Sequence, residues 1–281
     1  MQLSVIIVNH NQCRLLHRSL TALRPALQHL EAEIMVIDNA SSDRSLHMLQ
    51  AEFGEVQVMP NSTDEGFSAP VNRAIKKAKG SYVLVMHPSI VNGEDTLDKT
   101  LSFMDEHQHT AGITVRVLDA EGHFVKGSKK AMPEEWVKFF RFTGLSRLFS
   151  RSKLFSPHYE PGWDEEFENT ETDVLNSCFM LLRRSALMEV DAFDERFPIF
   201  GYDIDLSYRL RLAGYQTYYF ARTFVIQQAM APAAQFSLRY VRNFYGAMLT
   251  FAAKYLFRMP ELRLKTMPGA PTTAAAYGIK Q

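Results

Sequence analysis

Hydrophobic and polar residues follow one another along the first hundred positions in blocks that predict strands alternating with helices. Residues 3–8 form a short run rich in β-branched side chains, which is typical of a strand buried on both faces. Leucines at helical spacing follow over residues 12–30. Further strands are predicted at residues 33–38, 56–59 and 81–86, with helices ending near residue 53 and spanning 68–79. This alternation predicts an α/β fold in which helices cover both faces of a mostly parallel sheet.

Three of these predicted strands end in polar residues. The three ends are Asn9-His10-Asn11, Asp38-Asn39 and His87-Pro88-Ser89. In sheets of this kind, ligands bind beyond the carboxyl ends of the strands. We therefore expect the functional site to lie among these residues.

The second half of the chain mixes strands and helices with a segment of different character. Helices are predicted at residues 94–107, 185–190, 203–213 and 234–257, and strands at residues 111–125, 178–183 and 216–220. Residues 126–163 interleave basic and aromatic side chains, which predicts a basic flexible excursion from the sheet. These patterns predict a domain over residues 1–228, a C-terminal amphipathic helical extension over 229–260 and a disordered tail over 261–281.

Composition and charge exclude several classes of protein. Hydrophobic residues make up 46% of the 281 positions, and 31 Lys and Arg balance 31 Asp and Glu, so no overall field attracts nucleic acid. The two cysteines, Cys13 and Cys178, are too few for a disulfide framework or a zinc site and favour a reducing, cytoplasmic location. No run approaches the ~20 apolar residues of a spanning helix, and no basic stretch precedes the first apolar run. We expect neither a signal peptide nor a membrane span.

Several motifs, in order and at consistent spacing, resemble those of family 2 glycosyltransferases, and in particular of their rhamnosyltransferase-like branch. They are V-I-I-V-N-H-N (5–11), V-I-D-N-A-S-S-D (36–43), N-x-x-x-x-G-F with N-R-A-I-x-x-A-x-G (61–80), the basic G-L-S-R-L-F-S-R-S-K-L-F (144–155), F-D-E-R-F (193–197), D-I-D-L-S-Y-R-L-R-L-A-G-Y (203–215) and R-Y-V-R-N (239–243). The resemblance covers residues 3–258. It implies a GT-A fold and an inverting transfer of sugar from a nucleotide-diphosphate donor, such as dTDP-rhamnose, to a polysaccharide or lipid-linked glycan acceptor.

The resemblance also implies a nucleotide site at the first strand ends. Asp38 can accept a hydrogen bond from a uracil or thymine N–H, and Asn9, Asn11, Asn72 and Arg73 suit the ribose and the base edge. Each assignment has a structural alternative. Asp38 could instead form an Asx-turn or cap the next helix, and the 72–73 pair could lie on a solvated helix face.

The family usually binds Mn²⁺ or Mg²⁺ through an Asn-Pro-Asp motif and a later histidine. This sequence has His87-Pro88-Ser89 at the first place and Gln227 at the second. A hydroxyl and an amide are poor replacements for a carboxylate and an imidazole, so the resemblance predicts a degenerate metal and diphosphate motif with no certain metal. His87 with a softer ion is the alternative.

By the same resemblance, Asp203 matches the catalytic base that takes the proton of the acceptor hydroxyl. Its family neighbour is a glutamate, where this sequence has Tyr202. A helix N-cap is the alternative role for Asp203, and Asp205 is expected to cap that helix. Two further positions depart from the family pattern: Ser177 replaces a glycine, and Asp191-Ala192 replaces a Gly-Gly pair.

Basic residues offer a metal-free way to stabilise the leaving diphosphate. The candidates in the 126–163 segment are Lys126, Lys129, Lys130, Arg147 and Arg151. The alternative is a basic face toward anionic lipid headgroups, a role that the predicted helix over 234–257 also fits unless it packs in the core. Two hypotheses result: an active transferase, cytoplasmic or peripheral at the inner face of the membrane, or a non-catalytic GT-A protein that binds a nucleotide, a glycan or a partner glycosyltransferase. The sequence does not indicate the oligomeric state.

Overall fold

The computed structural model describes residues 1–125, 128–129, 133–149, 164–229 and 238–256. Within these residues the strands are β1 (Leu3–Asn9), β2 (Ala32–Asn39), β3 (Gln57–Asn61), β4 (Tyr82–Met86), β5 (Ile90–Asn92), β6 (Thr110–Leu118), β7 (Thr170–Glu171), β8 (Phe179–Arg183) and β9 (Gln216–Gln227). The helices are α1 (Cys13–Ala26), α2 (Ser45–Glu52), α3 (Ser68–Lys77), α4 (Thr96–Glu106), α5 (Glu134–Thr143), α6 (Arg184–Glu189), α7 (Tyr202–Leu212) and α8 (Leu238–Leu256).

The first four strands form the parallel half of the sheet, as the sequence predicts. Their order is β3-β2-β1-β4, and every pair in it is parallel. The register places Asn9 beside Asp38, so two of the predicted polar strand ends lie at the same edge. Because β1, β2 and β4 are buried on both faces, each is a continuous apolar run rather than an alternating one.

The other half of the sheet is mixed. Strand β8 lies antiparallel between β4 and β6, β9 runs parallel to β6, and β5 and β7 pair antiparallel with β9. The fold is therefore an α/β sheet flanked by helices, with a mixed second half. A strand that is buried on both faces, such as β8, is a continuous apolar run whether it is parallel or antiparallel. Its direction could therefore not be predicted from the sequence.

Two hydrophobic clusters cover the two faces of the sheet, and a third joins the later helices. In the third, Trp136 and Phe140 of α5 pack against Phe251 of α8, with ring centroids 6.0 and 5.0 Å apart. Both α5 rings are buried because a spacing of four residues puts them on one helix face. The described part of the predicted basic excursion thus includes a packed helix. The rest of that segment, and the predicted tail over 261–281, lie outside the described residues.

Helix α8 is fastened to α7 through a buried aspartate. Asp205 has no exposed surface, and it accepts hydrogen bonds from Arg209 (2.7 Å), Lys254 (2.5 Å) and the Tyr255 hydroxyl (2.7 Å). The expectation that Asp205 caps its helix is wrong. Its carboxylate instead ties the C-terminal helix to the helix that begins at Tyr202.

Candidate active site

Asn9 and Asp38 face each other where β1 and β2 end, and both are fully buried. The Asn9 amide donates to Asp38 Oδ2 at 2.9 Å, and the Ser41 N–H donates to Asp38 Oδ1 at 2.8 Å. The second bond reaches three residues along the chain, so it is neither an Asx-turn, which reaches two, nor a cap of α2, which begins at Ser45, and it gives Asp38 a structural role within the loop. Each carboxylate oxygen accepts one of these bonds and has room for a second, and contact with a nucleobase stays a prediction.

The loop after β1 is locked to the loop after β2. Asn11 Oδ1 accepts the N–H of Ser42 at 2.7 Å, and the Asn11 N–H donates to Ser41 Oγ at 2.9 Å. Asn11 and Ala40 both adopt positive φ, each at 53°, although neither is glycine. Left-handed backbone in such residues is strained and persists where the surroundings enforce it, often at functional sites. The exposed Asn11 side chain is therefore held in one place at the edge of the candidate site.

Asn72 and Arg73, which the sequence groups together, do different things. Asn72 is 8% exposed and clamps Phe193 with both ends of its amide, accepting from the Phe193 N–H at 3.0 Å and donating to its carbonyl at 2.7 Å. The solvated-face alternative is wrong for Asn72. Arg73 is partly exposed and donates to Glu65 at 2.6 Å and to Asn61 at 2.8 Å. The arrangement favours Arg73 over Asn72 for any direct contact with a ligand.

The clamped residue Phe193 follows a strained turn. Asp191 and Ala192 adopt φ of 58° and 51°, at the two positions where the resemblance predicts glycines. Such backbone is natural for glycine and costly for a residue with a Cβ. The chain keeps the shape of the turn without the residues that would form it most readily.

His87 and Ser89 bond to each other in the turn after β4. Ser89 is fully buried, its hydroxyl lies 2.8 Å from His87 Nδ1, and its N–H donates to the same nitrogen at 3.1 Å. Burial lowers the pKa of His87 to about 4, so the imidazole is neutral at physiological pH and Nδ1 accepts both bonds. The Ser89 hydroxyl is consequently engaged inside the turn.

Gln227 occupies the other predicted metal position, at the end of β9. Its amide donates to Cys178 Sγ at 3.7 Å. Burial, and next the charge of Asp203, raise the pKa of the Cys178 thiol to about 11, which keeps it protonated. A protonated thiol is a weak partner and does not bind a metal ion.

These donors do not fit a hard divalent cation. Mg²⁺ and Mn²⁺ favour carboxylate oxygens, and here the positions offer an engaged hydroxyl, an amide and a neutral imidazole. In the part of the chain that the structure describes, no group of three or more His, Cys, Asp or Glu is placed to hold a metal. We derive no step of the reaction through a metal ion.

Asp203 lies in the first turn of α7, on the wall of a cavity of about 550 Å³. Burial raises the pKa of its carboxyl to about 6, although the Ile204 N–H, which donates to Oδ1 at 2.9 Å, opposes the shift. Gln227 and Cys178 line the same cavity. A carboxyl poised near neutral pH beside a cavity is suited to accept a proton from a bound hydroxyl.

The cavity wall carries the departures from the family pattern. Tyr202 and Ser177, which replace a glutamate and a glycine, both line the cavity, and Ser177 acts on the Tyr202 hydroxyl to lower its pKa. The Tyr202 ring stacks on Phe67 with centroids 4.0 Å apart, and burial raises the pKa of its hydroxyl. The two substitutions are therefore coupled in space. Beside them Gly201 (φ 80°) has no room for a side chain, since a Cβ would lie 2.8 Å from the Trp136 ring.

The basic residues of the 126–163 segment are only partly described. Lys129 is 7% exposed, and its ammonium group lies 4.9 Å from the centre of the Tyr219 ring. Arg147 is exposed. Lys126, Lys130 and Arg151 lie outside the described residues. Lys129 thus packs inside the protein, over an aromatic ring, whereas the sequence groups it with cations for the leaving diphosphate or, alternatively, for lipid headgroups.

Sequence reasoning missed the apolar wall of the cavity. Trp136, Phe200 and Phe244 line it, yet they are far apart in the chain and carry no motif of their own. The burial of Trp136 could have been predicted, because Trp136 lies four residues before Phe140 and this spacing places both side chains on one face of a helix. The contribution of Phe244 depends on the way α8 packs and has no local signature.

Comparison with known proteins agrees with this fold. The chain resembles the crystal structure of Staphylococcus aureus TarS in complex with UDP-GlcNAc, with a TM-score of 0.63 and 18% identity over 93% of this chain and 68% of that one. Among curated proteins it is 24% identical over 230 residues to the N-acetylglucosaminyl-diphospho-decaprenol L-rhamnosyltransferase of Mycobacterium tuberculosis, covering 77% of this chain and 73% of that protein. It is 23% identical to the rhamnosyltransferase WbbL of Escherichia coli, over 76% and 79% of the two chains.

Fold and relatives together define the class as a nucleotide-sugar glycosyltransferase of GT-A fold. The model of "Glycosyl transferase family 2" matches residues 4–190. The chain belongs to that family, in its rhamnosyltransferase-like branch. Among the described helices, none combines the length and the apolar character needed to cross a bilayer.

Proposed function

We propose that this protein transfers a sugar, with inversion, from a nucleoside-diphosphate donor such as dTDP-rhamnose to a hydroxyl group of a glycan or lipid-linked acceptor. The observation that carries the proposal is Asp203, whose carboxyl has a pKa of about 6 and lies on the wall of the cavity of about 550 Å³. The names of the curated relatives support the same chemistry, since two of them are rhamnosyltransferases.

In the proposed reaction, the ionised Asp203 takes the proton from the acceptor hydroxyl as its oxygen attacks the anomeric carbon. The bond from that carbon to the diphosphate oxygen breaks, and the nucleoside diphosphate leaves with both bonding electrons. Attack from the face opposite the leaving group inverts the configuration. Tyr202 and Gln227 border the carboxyl in the cavity and would orient the acceptor.

The negative charge on the leaving diphosphate must be stabilised by positive charge. The residues at the family's metal positions do not fit a hard metal ion here, so the charge must come from another source. Basic residues of the 126–163 segment, such as Arg147, would meet this need as fixed charges. Asn9, Asn11, Asp38 and Arg73 would hold the nucleoside at the strand ends.

Calorimetric titration with UDP, dTDP and GDP, each with Mn²⁺ and again with EDTA, tests the proposal. Micromolar binding of one nucleotide that survives EDTA is expected, and it names the donor base. A transfer assay with the matching nucleotide sugar should then show turnover in excess chelator. Binding that disappears with EDTA would refute metal independence.

The competing function is a non-catalytic GT-A protein. The observation in its favour is that the two family metal positions are occupied by uncharged groups bonded to their own neighbours, Ser89 to His87 and Gln227 to Cys178. A Ser89→Asp, Gln227→His double variant distinguishes an active transferase from a non-catalytic protein. Metal-dependent turnover in this variant alone, with an inert wild type, would favour the non-catalytic function.

A further inference from the structure

Helix α8 has a second face that nothing in the described structure covers. Its inner face packs Phe244, Met248, Phe251 and Tyr255 into the third cluster. Seven of its described side chains are exposed, and six of the seven are apolar. The seven are Leu238, Val241, Arg242, Tyr245, Leu249, Ala253 and Leu256. We call the six apolar ones the outer stripe.

The outer stripe is continuous along the helix. At 3.6 residues per turn its members fall within an arc of about 120°, and a helix of this length extends about 28 Å. Leu238 is 89% exposed and Leu249 is 64% exposed. Contiguous apolar surface of this kind usually marks a contact site.

Charge distinguishes between the partners that could cover the outer stripe. The sequence of α8 contains Arg239, Arg242 and Lys254 and no Asp or Glu, and Lys254 is committed to its buried ion pairs. The sequence that follows adds four cations against the single Glu261. They are Arg258, Arg263, Lys265 and Lys280. An exposed apolar stripe that includes an arginine, on a helix without acidic residues, is complementary to an anionic surface.

A second copy of the chain is a poorer match. Two stripes packed face to face would bring Arg242 and its like-charged neighbours together with no acidic group on the helix to offset them. An apolar protein partner would leave the same cations unmatched. Headgroups of anionic lipids match both the apolar and the charged parts at once.

We propose that α8 lies in the surface of an anionic bilayer, with the outer stripe buried among the lipids and Arg242 at the headgroups. The inner face of the same helix contributes Phe244 to the cavity wall, so docking brings the cavity to within about one helix diameter, ~10 Å, of the membrane. A lipid-linked acceptor could then reach Asp203 without leaving the bilayer. In this respect the inference rests on the proposed function, whereas the binding itself does not require turnover.

Cosedimentation with vesicles tests the proposal. The vesicles contain equal parts phosphatidylglycerol and phosphatidylcholine, or phosphatidylcholine alone. We expect the wild-type chain to bind the anionic vesicles and to bind the neutral ones much less. A Tyr245→Gln, Leu249→Gln double variant should lower the partition coefficient by about tenfold or more. Arg242→Gln should lower it by about fivefold, and added salt should lessen that difference.

Met188→Gln is the matched control, because Met188 is an apolar residue on α6 that is 44% exposed. It should bind vesicles like the wild type, and all variants should keep the thermal midpoint of the wild type. Failure of the wild type to bind anionic vesicles would overturn the proposal, as would unchanged binding of the double variant. The proposal would also be overturned if light scattering showed a dimer of the wild type and a monomer of the double variant, because a second copy of the chain would then cover the outer stripe. Vesicle binding without nucleotide binding would instead refute the proposed function and leave the docking surface in place.

Discussion

Lys254 on the C-terminal helix donates to Asp205 at 2.5 Å and to Asp194 at 2.8 Å, and its side chain is only 15% exposed. Asp205 also receives Arg209 and the Tyr255 hydroxyl, so a fully buried carboxylate is matched by two cations and a phenol. Hydrogen bonds from Arg196 and Lys254 lower the pKa of Asp194 against the opposing effect of burial. One lysine thus connects α8 with both the start of α7 and the loop before it.

Removal of this cation should destabilise the protein strongly. Lys254→Met leaves Asp205 with Arg209 as its one cation beside the Tyr255 hydroxyl, and it leaves Asp194 without its buried partner. We expect this to cost about 2–3 kcal/mol in the free energy of unfolding. Urea denaturation of the variant and the wild type measures this difference in the free energy of unfolding. Lys138→Met is the control, since Lys138 pairs with Glu134 at an exposed position and its loss should cost under about 1 kcal/mol. Equal effects of the two variants would contradict the importance of the buried network.

Asn72 should behave as a structural residue. Asn72→Ala removes three hydrogen bonds from a buried loop and leaves the Phe193 N–H and carbonyl without partners, at a cost of about 1–3 kcal/mol. Thermal unfolding should show the loss even without nucleotide. Arg73→Ala should show the reverse, with a small change in stability and weaker nucleotide binding in calorimetry. A stable Asn72→Ala protein with selectively weakened nucleotide binding would contradict this division of roles.

The rate of transfer should depend on the ionisation of Asp203. Its pKa of about 6 and its role as a base predict that kcat/KM falls as the pH drops below about 6, because the protonated carboxyl cannot accept the proton of the acceptor. Asp203→Asn should lose about 10²- to 10⁴-fold in rate and should lose this pH dependence. A profile that stays flat between pH 5 and 7 would argue against Asp203 as the base.

The same residue should limit stability at neutral pH. The pKa of Asp203 is raised from 3.8 in the unfolded chain, so its contribution to stability is present below that pH and is lost as the pH rises through about 6. Asp203→Asn should therefore raise the free energy of unfolding by about 1–3 kcal/mol at pH 7.5, and the gain should vanish near pH 4. Glu94→Gln, at an exposed position, should leave stability close to that of the wild type.

His87 should make the protein sensitive to acid. Burial lowers its pKa from 6.5 to about 4, so the unfolded chain takes up a proton before the folded chain does. The stability present above pH 6.5 should decline as the pH falls toward 4, by up to about 3 kcal/mol. His87→Asn keeps an acceptor for the Ser89 N–H and should flatten this decline in thermal unfolding between pH 7 and 4. The control His47→Asn, on the exposed side of α2, should keep the decline of the wild type.

Glycine should be favoured in the turn before Phe193. Ala192→Gly relieves a positive φ of 51° in a residue that bears a Cβ, and it should raise the free energy of unfolding by up to about 1 kcal/mol. Chemical denaturation of the variant and the wild type compares them directly. The control Ala186→Gly, within helix α6, should instead lower the free energy of unfolding. A destabilised Ala192→Gly protein would show that the turn is not strained.

The parallel half of the sheet and the position of Asp203 follow from local patterns, and both could be predicted. Strands of continuous apolar residues, and an aspartate in the first turn of a helix, are visible within ten residues of sequence. Two of the three partners of Asp205, Lys254 and Tyr255, lie 49 and 50 positions away, and Asn72 reaches a residue 121 positions away. No local signal marks such pairs. For this reason the local sequence suggests a helix cap at Asp205 and does not indicate that Asn72 is buried.

The link between Lys254 and Asp205 also affects how the protein can be divided and how it can evolve. The family match ends at residue 190, before Asp203, and the predicted boundary at residue 228 precedes the lysine. A fragment cut at either place would lack part of the site or the cation that neutralises a buried charge. A natural exchange of the C-terminal helix between relatives would meet the same obstacle unless the incoming helix brought equivalents of Lys254 and Tyr255. Helix α8 can therefore be exchanged successfully only together with α7, the helix that carries Asp203 and Asp205.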